Sequence, residues 1–231
     1  MARHGIRKVQ TNIKNPQKVE EQRSKIVKAA IQIVIEKGFH ETSVREIANA
    51  AGLTQGTLYN YIRSKGDILY LICDEVVSAY VRAVETGIAR APEGMSRVES
   101  AMRALIEEVY QQQDLVLLVY RESHKLDHRS LKAVLTRMEE SFVVLENVLT
   151  EASKETPLAV RNMRVAINML SYFPTLLVMR RWDLERHVPH REVVDDLVGF
   201  LLRGFGFESA SAAKQRKARN GGVKAHAVKE S

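Results

Sequence analysis

The chain has 231 residues, 45% of them hydrophobic and 27% charged, enough apolar side chain for one or two packed domains. With 6% aromatic residues, 12 Gly and 5 Pro it is lean in what a β sandwich needs, and its single cysteine, Cys73, excludes an internal disulfide framework or thiolate metal cluster. The net charge of +7 is uneven: 12 Lys and Arg face 5 Asp and Glu over residues 1–66, 17 face 21 over 67–207, and 6 face 2 over 208–231. A basic first third ahead of a mildly acidic body suggests that the first third meets a polyanion.

No run approaches the roughly 18 uninterrupted apolar residues of a membrane span, and no apolar stretch follows the basic N-terminus as a secretory signal requires. The expectation is a soluble, cytoplasmic protein with no membrane partner. Residues 1–18 carry no acid and include Pro16, which predicts a flexible basic arm; residues 208–231, rich in Ala, Ser, Lys and Gly, predict a basic disordered tail.

From Val19 the pattern becomes helical. Ile26, Ala30, Ile33 and Val34 recur at helix spacing, and Gly38 stands where a cap would end the first helix. Ser43 and Glu46 form an S-x-x-E capping box that starts a second helix at Val44 and runs it through Ala51. Gly52 permits a sharp reversal, Leu53 plugs the turn, and Thr54 offers a hydroxyl cap to a third helix over about 55–61. Two short helices across a turn containing Gly are a helix-turn-helix, here within a domain at 19–66. Ser64 and Asp67 make a second capping box, opening a long apolar helix.

Thr42-Ser43-Val44-Arg45-Glu46-Ile47-Ala48, Ala51-Gly52-Leu53-Thr54-Gln55-Gly56-Thr57-Leu58-Tyr59-Asn60-Tyr61-Ile62 and Ser64-Lys65-Gly66-Asp67 together resemble the DNA-binding domain of the TetR family of transcriptional regulators. The resemblance covers roughly the first third of the chain. It implies an all-α homodimer, most often a repressor, with a C-terminal ligand-binding domain whose sequence varies. One departure is Gly66, where the family commonly has an acid; Gly weakens the first turn of the next helix by about 1 kcal/mol.

In a recognition helix docked in the major groove, Gln55 is the best base reader, since its amide matches adenine N6 and N7. Arg45 matches a family position that reaches guanine, against the alternative of a solvated helix charge. Gly56 leaves room for the backbone, Thr57 and Asn60 add polar or thymine-methyl contacts, and Ser43, Thr54, Tyr59, Tyr61 and Lys65 are candidate phosphate ligands. Tyr61, at the apolar end of the pattern, is as well placed in the core as on DNA. One headpiece buries too little for a regulator's affinity, so two copies on a pseudo-palindromic double-stranded operator are expected.

The body, residues 67–207, reads as six more helices: a long one ending near Ala91-Pro92, then 98–110, 115–126, 131–152, one from Pro157 to about Trp182, and one from Pro189 to Phe205. With the headpiece that makes an all-α fold of about nine helices. The last two are apolar on more than one face, as a helix buried on both sides must be, and they match in position the pair that forms the dimer interface of the TetR family. Pro174 predicts a kink. Around it Tyr110, Leu118, Tyr120, Met138, Phe142, Met169, Tyr172 and Phe173 are candidate walls of an apolar effector pocket, with Arg121, Glu122, His124 and Asn168 as polar anchors, against the alternative of plain core. Tyr120-Arg121-Glu122-Ser123 resembles a segment of TetR-type regulators of lipid metabolism, which points to a fatty-acyl or acyl-thioester effector.

Enzymatic readings fail for want of chemistry. No G-x-S-x-G, Walker lysine loop or H-E-x-x-H is present, and the pairs His124/His128 and His187/His190 lack further ligands in register. No metal, cofactor or catalytic residue is expected. The alternative within DNA binding is a ligand-independent regulator or activator.

Overall fold

The computed structural model of the protein describes residues 9–91 and 96–207, among which ten α-helices and one 3-10 turn occur and no strand. Residues 1–8 of the expected arm, most of the Ala91-to-Gly94 break and the 208–231 tail lie outside the described residues. Helix α1 spans Pro16–Lys37, α2 Val44–Ala50, α3 Gln55–Leu58, α4 Lys65–Ala89, α5 Arg97–Gln111 and α6 Gln113–Glu122. A 3-10 turn at Ser123–Lys125 precedes α7 (His128–Ser153), α8 (Met163–Tyr172), α9 (Thr175–His187) and α10 (His190–Phe205).

The first helix starts inside the segment expected to be a flexible arm. Asn15 is its N-cap, its side-chain oxygen accepting from the amides of Gln17 at 3.0 Å and Lys18 at 3.2 Å, and Pro16 is the first helical residue. Proline belongs there: the N–H it lacks would be unsatisfied in a first turn anyway, so Asn-Pro is a start signal. The ten residues from Val9 to Lys18 are therefore part of the folded headpiece. Val9 is buried, and Thr11 Oγ1 and Asn12 N–H both donate to the Asn60 carbonyl, at 2.7 and 3.1 Å.

The capping signals of the headpiece form as the residues dictate. Glu46 N–H donates to Ser43 Oγ while Ser43 N–H donates back to the Glu46 carboxylate at 2.8 Å. Asp67 Oδ2 accepts from the amides of Arg63 and Ser64, and Ser64 Oγ accepts from Asp67 N–H. Ile26, Ala30, Val34, Ile47, Ala48, Leu58 and Ile62 close the core between these helices, each at most 1% exposed. Side chains of this size are each worth about 1.5–3 kcal/mol when fully buried, Ala less.

Contacts divide the described residues into two compact units. One combines residues 9–80 with 111–141, so the three headpiece helices cluster with the first half of α4 and with α6. The other combines 81–110 with 142–207. Its core includes Met102, Ile106, Leu149, Ile167, Leu170 and Leu202, all essentially inaccessible.

The helix expected from Pro157 to Trp182 is two helices with a later start. Asn162 caps α8, accepting from the amides of Arg164 and Val165, and the chain breaks at Phe173-Pro174 before α9 begins. Pro174 has no N–H to continue the ladder, so the expected kink is a full interruption.

Candidate nucleic-acid interface

The turn between α2 and α3 sets the interface. Gly52 takes φ 69°, a left-handed conformation that a side chain would strain, and Leu53 N–H donates back to the Ala48 carbonyl at 2.9 Å. Thr54 Oγ1 then caps α3 by accepting from Thr57 N–H at 3.1 Å. The cap brings Gln55 and Gly56 to the exposed N-terminal end of α3, with Tyr59 42% exposed one turn on, and Arg45 exposed on α2. A Cβ added at Gly56 would meet nothing closer than Thr54 Oγ1 at 3.9 Å, so the backbone there is open to close approach from outside.

Several of the candidate DNA contacts also hold the headpiece together. Ser43 Oγ and Thr54 Oγ1 are cap acceptors, and Thr57, half-buried, shares a 2.9 Å hydrogen bond with Thr54. Lys65 donates to the His40 carbonyl at 3.1 Å with its ammonium 4.6 Å from the Phe39 ring centroid, and partial burial lowers its pKa from the ordinary value. Tyr61, only 5% exposed, is a core side chain, because the last turn after α3 rotates it inward beside Leu58 and Ile62. Asn60 is half-buried and its carbonyl holds Thr11 and Asn12. Arg45, Gln55, Gly56 and Tyr59 are exposed, and so are Ser43 and Thr54, whose hydroxyl oxygens also serve as caps.

Charge reinforces the α2 start. The Lys37 ammonium, 2.6 Å from Glu46, together with the backbone and hydroxyl of Ser43, holds the Glu46 carboxyl down at about 2. Behind the interface stands a residue that sequence reasoning missed. Arg23 donates through Nε and Nη2 to the Tyr61 carbonyl, at 3.0 and 2.8 Å, and through Nη2 to the Val9 carbonyl at 2.6 Å, tying α1, the residue-9 strap and the end of the α3 turn together. A signal existed: Arg23 falls four residues after Val19 and four before Val27, on the buried stripe of α1 where a cation is out of place.

Residues 26–70 match the family profile described as bacterial regulatory proteins, tetR family. Over these residues the chain is similar to the TetR family of transcriptional regulators. The TetR match runs from the middle of α1 through α2 and α3 to the start of α4. The HTH-type transcriptional regulator HbdR of Aromatoleum sp. (strain CIB) is 30% identical over 118 residues, 51% of this chain and 52% of that protein. The fatty acid metabolism regulator protein of Bacillus subtilis (strain 168) is 28% identical over 129 residues, 54% of this chain and 65% of that one. The chain therefore spans between about half and two thirds of these curated relatives. Among solved structures, AibR in complex with isovaleryl coenzyme A and operator DNA superposes with a TM-score of 0.61 at 19% identity, covering 78% of this chain and 97% of that one, a likeness of fold.

The residues expected to form an effector pocket are distributed over both compact units. In the unit holding the headpiece, Tyr120, Arg121, His124 and Met138 are exposed, Leu118 is half-buried, and Glu122 is buried with its carboxylate 2.6 Å from Lys125. In the other, Phe142 is buried with the Arg164 guanidinium 5.1 Å from its ring centroid, and Phe173 lies 5.7 Å from Phe200. Asn168, exposed, donates to the Arg164 carbonyl of its own helix, and Met169 and Tyr172 are 42% and 60% exposed. Tyr110 stacks on His190 at 3.7 Å, and His190 Nε2 is 2.8 Å from Glu107. That trio was not foreseen, because α5 and α10 are far apart in sequence. No group of three or more metal-ligating side chains occurs among the described residues.

Proposed function

We propose that the protein is a DNA-binding transcriptional regulator that reads a pseudo-palindromic duplex as a homodimer, most naturally as a repressor released by an apolar effector. The observation that carries the reading is the exposed N-terminal end of α3, with Gln55 and Gly56 outward beside exposed Arg45, in a headpiece of strong positive charge. A helix of this kind presents its first residues to base edges while neighbouring groups hold phosphates. The family match over residues 26–70 and the names of the relatives support it.

Support for the dimer comes from α8, α9 and α10. Tyr172 is 60% exposed, Trp182 59% and Phe200 55%, and Val165, Met169, Leu176 and Met179 are exposed with them. So many large apolar side chains on one compact unit call for a cover, and a second copy is the cover we assign. On this reading Met169 and Tyr172 serve the subunit interface, and Tyr110, Phe142 and Phe173 remain the aromatic side chains assigned to the effector. The acyl class of effector rests on the Bacillus relative named for fatty acid metabolism and on the solved neighbour holding isovaleryl coenzyme A. A ligand that favours one headpiece arrangement by 1–3 kcal/mol changes operator affinity about 5- to 150-fold.

Selection of bound duplexes from a random library, with and without a panel of acyl thioesters, tests the reading. A palindrome released by an acyl thioester supports it in full. A palindrome that nothing releases favours the ligand-independent alternative, and failure to enrich any palindrome refutes DNA reading by α3.

A further inference from the structure

Helix α3 has only four residues, Gln55–Leu58, and a helix so short has no stability of its own. Its front end is held locally, by the Thr54 cap and by the Leu53 N–H on the Ala48 carbonyl. Its back end is held from a distant part of the chain. In the turn that closes α3, the Asn60 carbonyl accepts from Thr11 Oγ1 at 2.7 Å and from Asn12 N–H at 3.1 Å, and the Tyr61 carbonyl accepts from Arg23 Nε at 3.0 Å and Nη2 at 2.8 Å. The same Nη2 reaches the Val9 carbonyl at 2.6 Å, and Thr11 Oγ1 also accepts from Ile13 N–H at 3.1 Å. Residues 9–13 and Arg23 are thus one clamp on that turn, within a single compact unit. Burial lowers the Arg23 pKa from its ordinary value and nearby Glu20 and Asp67 oppose that, while a guanidinium keeps its charge in proteins, so its bonds to the carbonyls are charge-assisted.

We propose that Arg23 and the strap at residues 9–13 are positioning elements for base reading: they fix the tilt of α3, and so the placement of Gln55 and Tyr59, without touching DNA themselves. This rests on the reading of α3 as the helix that meets base edges. The tolerance is what makes the clamp matter. A recognition side chain has to be held within about 0.5 Å of its productive place. With the front of α3 pinned and the back released, the helix swings about Thr54. Tyr59 stands about 6 Å along the axis from Gln55, so a swing of about 10° carries it by about 1 Å and turns Gln55 through the same angle. Base-edge contacts do not survive that displacement, whereas the sequence-independent attraction of a basic headpiece to phosphates does. Loss of the clamp therefore removes discrimination between duplexes and leaves non-specific binding in place.

The test is competition titration of the full chain between the palindrome enriched from the random library and a scrambled duplex, repeated over a range of salt. In Arg23→Gln, affinity for the palindrome falls about tenfold or more, while affinity for the scrambled duplex and the slope of log affinity against log salt stay those of the parent. Thr11→Val, near-isosteric and outside every helix, removes one of the two donors to the Asn60 carbonyl and lowers discrimination about threefold. Arg23→Lys keeps the charge without the two-pronged hold on the Tyr61 carbonyl and falls between the parent and Arg23→Gln. Circular dichroism shows which variants fold; should Arg23→Gln not fold, Thr11→Val decides. Discrimination unchanged in the folded variants, whatever their melting temperature, makes the clamp a stabilising contact only and overturns the proposal. A salt slope shallower by about 1 in Arg23→Gln means that Arg23 holds a phosphate itself and overturns it too. A parent that enriches no palindrome, or one whose discrimination survives Gln55→Ala, refutes α3 as the reader and the role of the clamp with it, a result distinct from clamp variants that read the operator as well as the parent does.

Discussion

Gly87 and Gly66 are both helical glycines on α4, and the same substitution at the two has opposite consequences. At Gly87 an added Cβ falls 2.7 Å from Ala104 Cβ and 2.8 Å from the Ser100 carbonyl oxygen, both on α5. Ordinary contact begins at 3.4 Å, so the two helices must part by about 0.7 Å, and the obstacle is helical backbone that no rotamer change moves aside. Overpacking of that kind costs about 1–3 kcal/mol. The same displacement loosens the 2.6 Å bond from Ser100 Oγ to the Gly87 carbonyl, worth about 1 kcal/mol. Alanine's better helix propensity returns about 1 kcal/mol, leaving Gly87→Ala destabilised by about 1–3 kcal/mol. At Gly66 the new Cβ meets only Ser64 Oγ at 3.5 Å, so Gly66→Ala gains up to about 1 kcal/mol from propensity alone. Urea unfolding followed by circular dichroism, at one fixed protein concentration so that association does not shift the midpoint, reads both signs. A Gly87→Ala protein as stable as the parent refutes the close approach of α4 and α5.

Other expectations are separable from it. Arg45→Ala and Gln55→Ala each lose about 1–3 kcal/mol of discrimination between operator and random duplex while non-specific binding survives; an equal fall in both, measured by competition titration, contradicts base reading. Glu46 has a folded pKa of about 2 against an ordinary 4.5, so its carboxylate favours the folded headpiece above pH 4.5, and that contribution disappears as pH falls from 4.5 to about 2. The gap in urea midpoint between the parent and Glu46→Gln therefore closes across that window, and a gap independent of pH rejects the capping role. Trp182→Glu places a charge among the exposed apolar side chains and converts the proposed dimer to monomer in sedimentation velocity, whereas an unchanged sedimentation coefficient moves the proposed interface off α9. Burial, and secondarily the charge of Asp74, push the Cys73 thiol up to about 12, so a thiol reagent at pH 8 modifies it only in denaturant; rapid native modification contradicts the packing of α4.

The headpiece was legible from its residues because its determinants are local. The boxes at Ser43/Glu46 and Ser64/Asp67, the reversal at Gly52 and the cap at Thr54 each act within four residues, and such signals survive any tertiary context. Pro16 was legible only in part: as punctuation it suggests a loop, and its place directly after Asn15 makes it a helix start. Tyr61 shows the limit inside the headpiece. Its spacing of three from Leu58 allowed a core place and its hydroxyl allowed a phosphate contact, and packing decided for the core, where it is 5% exposed.

Sequence alone determined the class of the protein: all-helical, basic at its front, with a helix-turn-helix across Gly52. Tertiary structure decided everything that depends on residues distant in the chain meeting. It brings Arg23 to the carbonyls of Val9 and Tyr61, His190 to Tyr110 and Glu107, and Gly87 against α5. Helix periodicity tells which face of a helix is apolar, but the neighbour that face meets depends on how the helices are arranged in space, and no repeat of 3.6 residues encodes that arrangement.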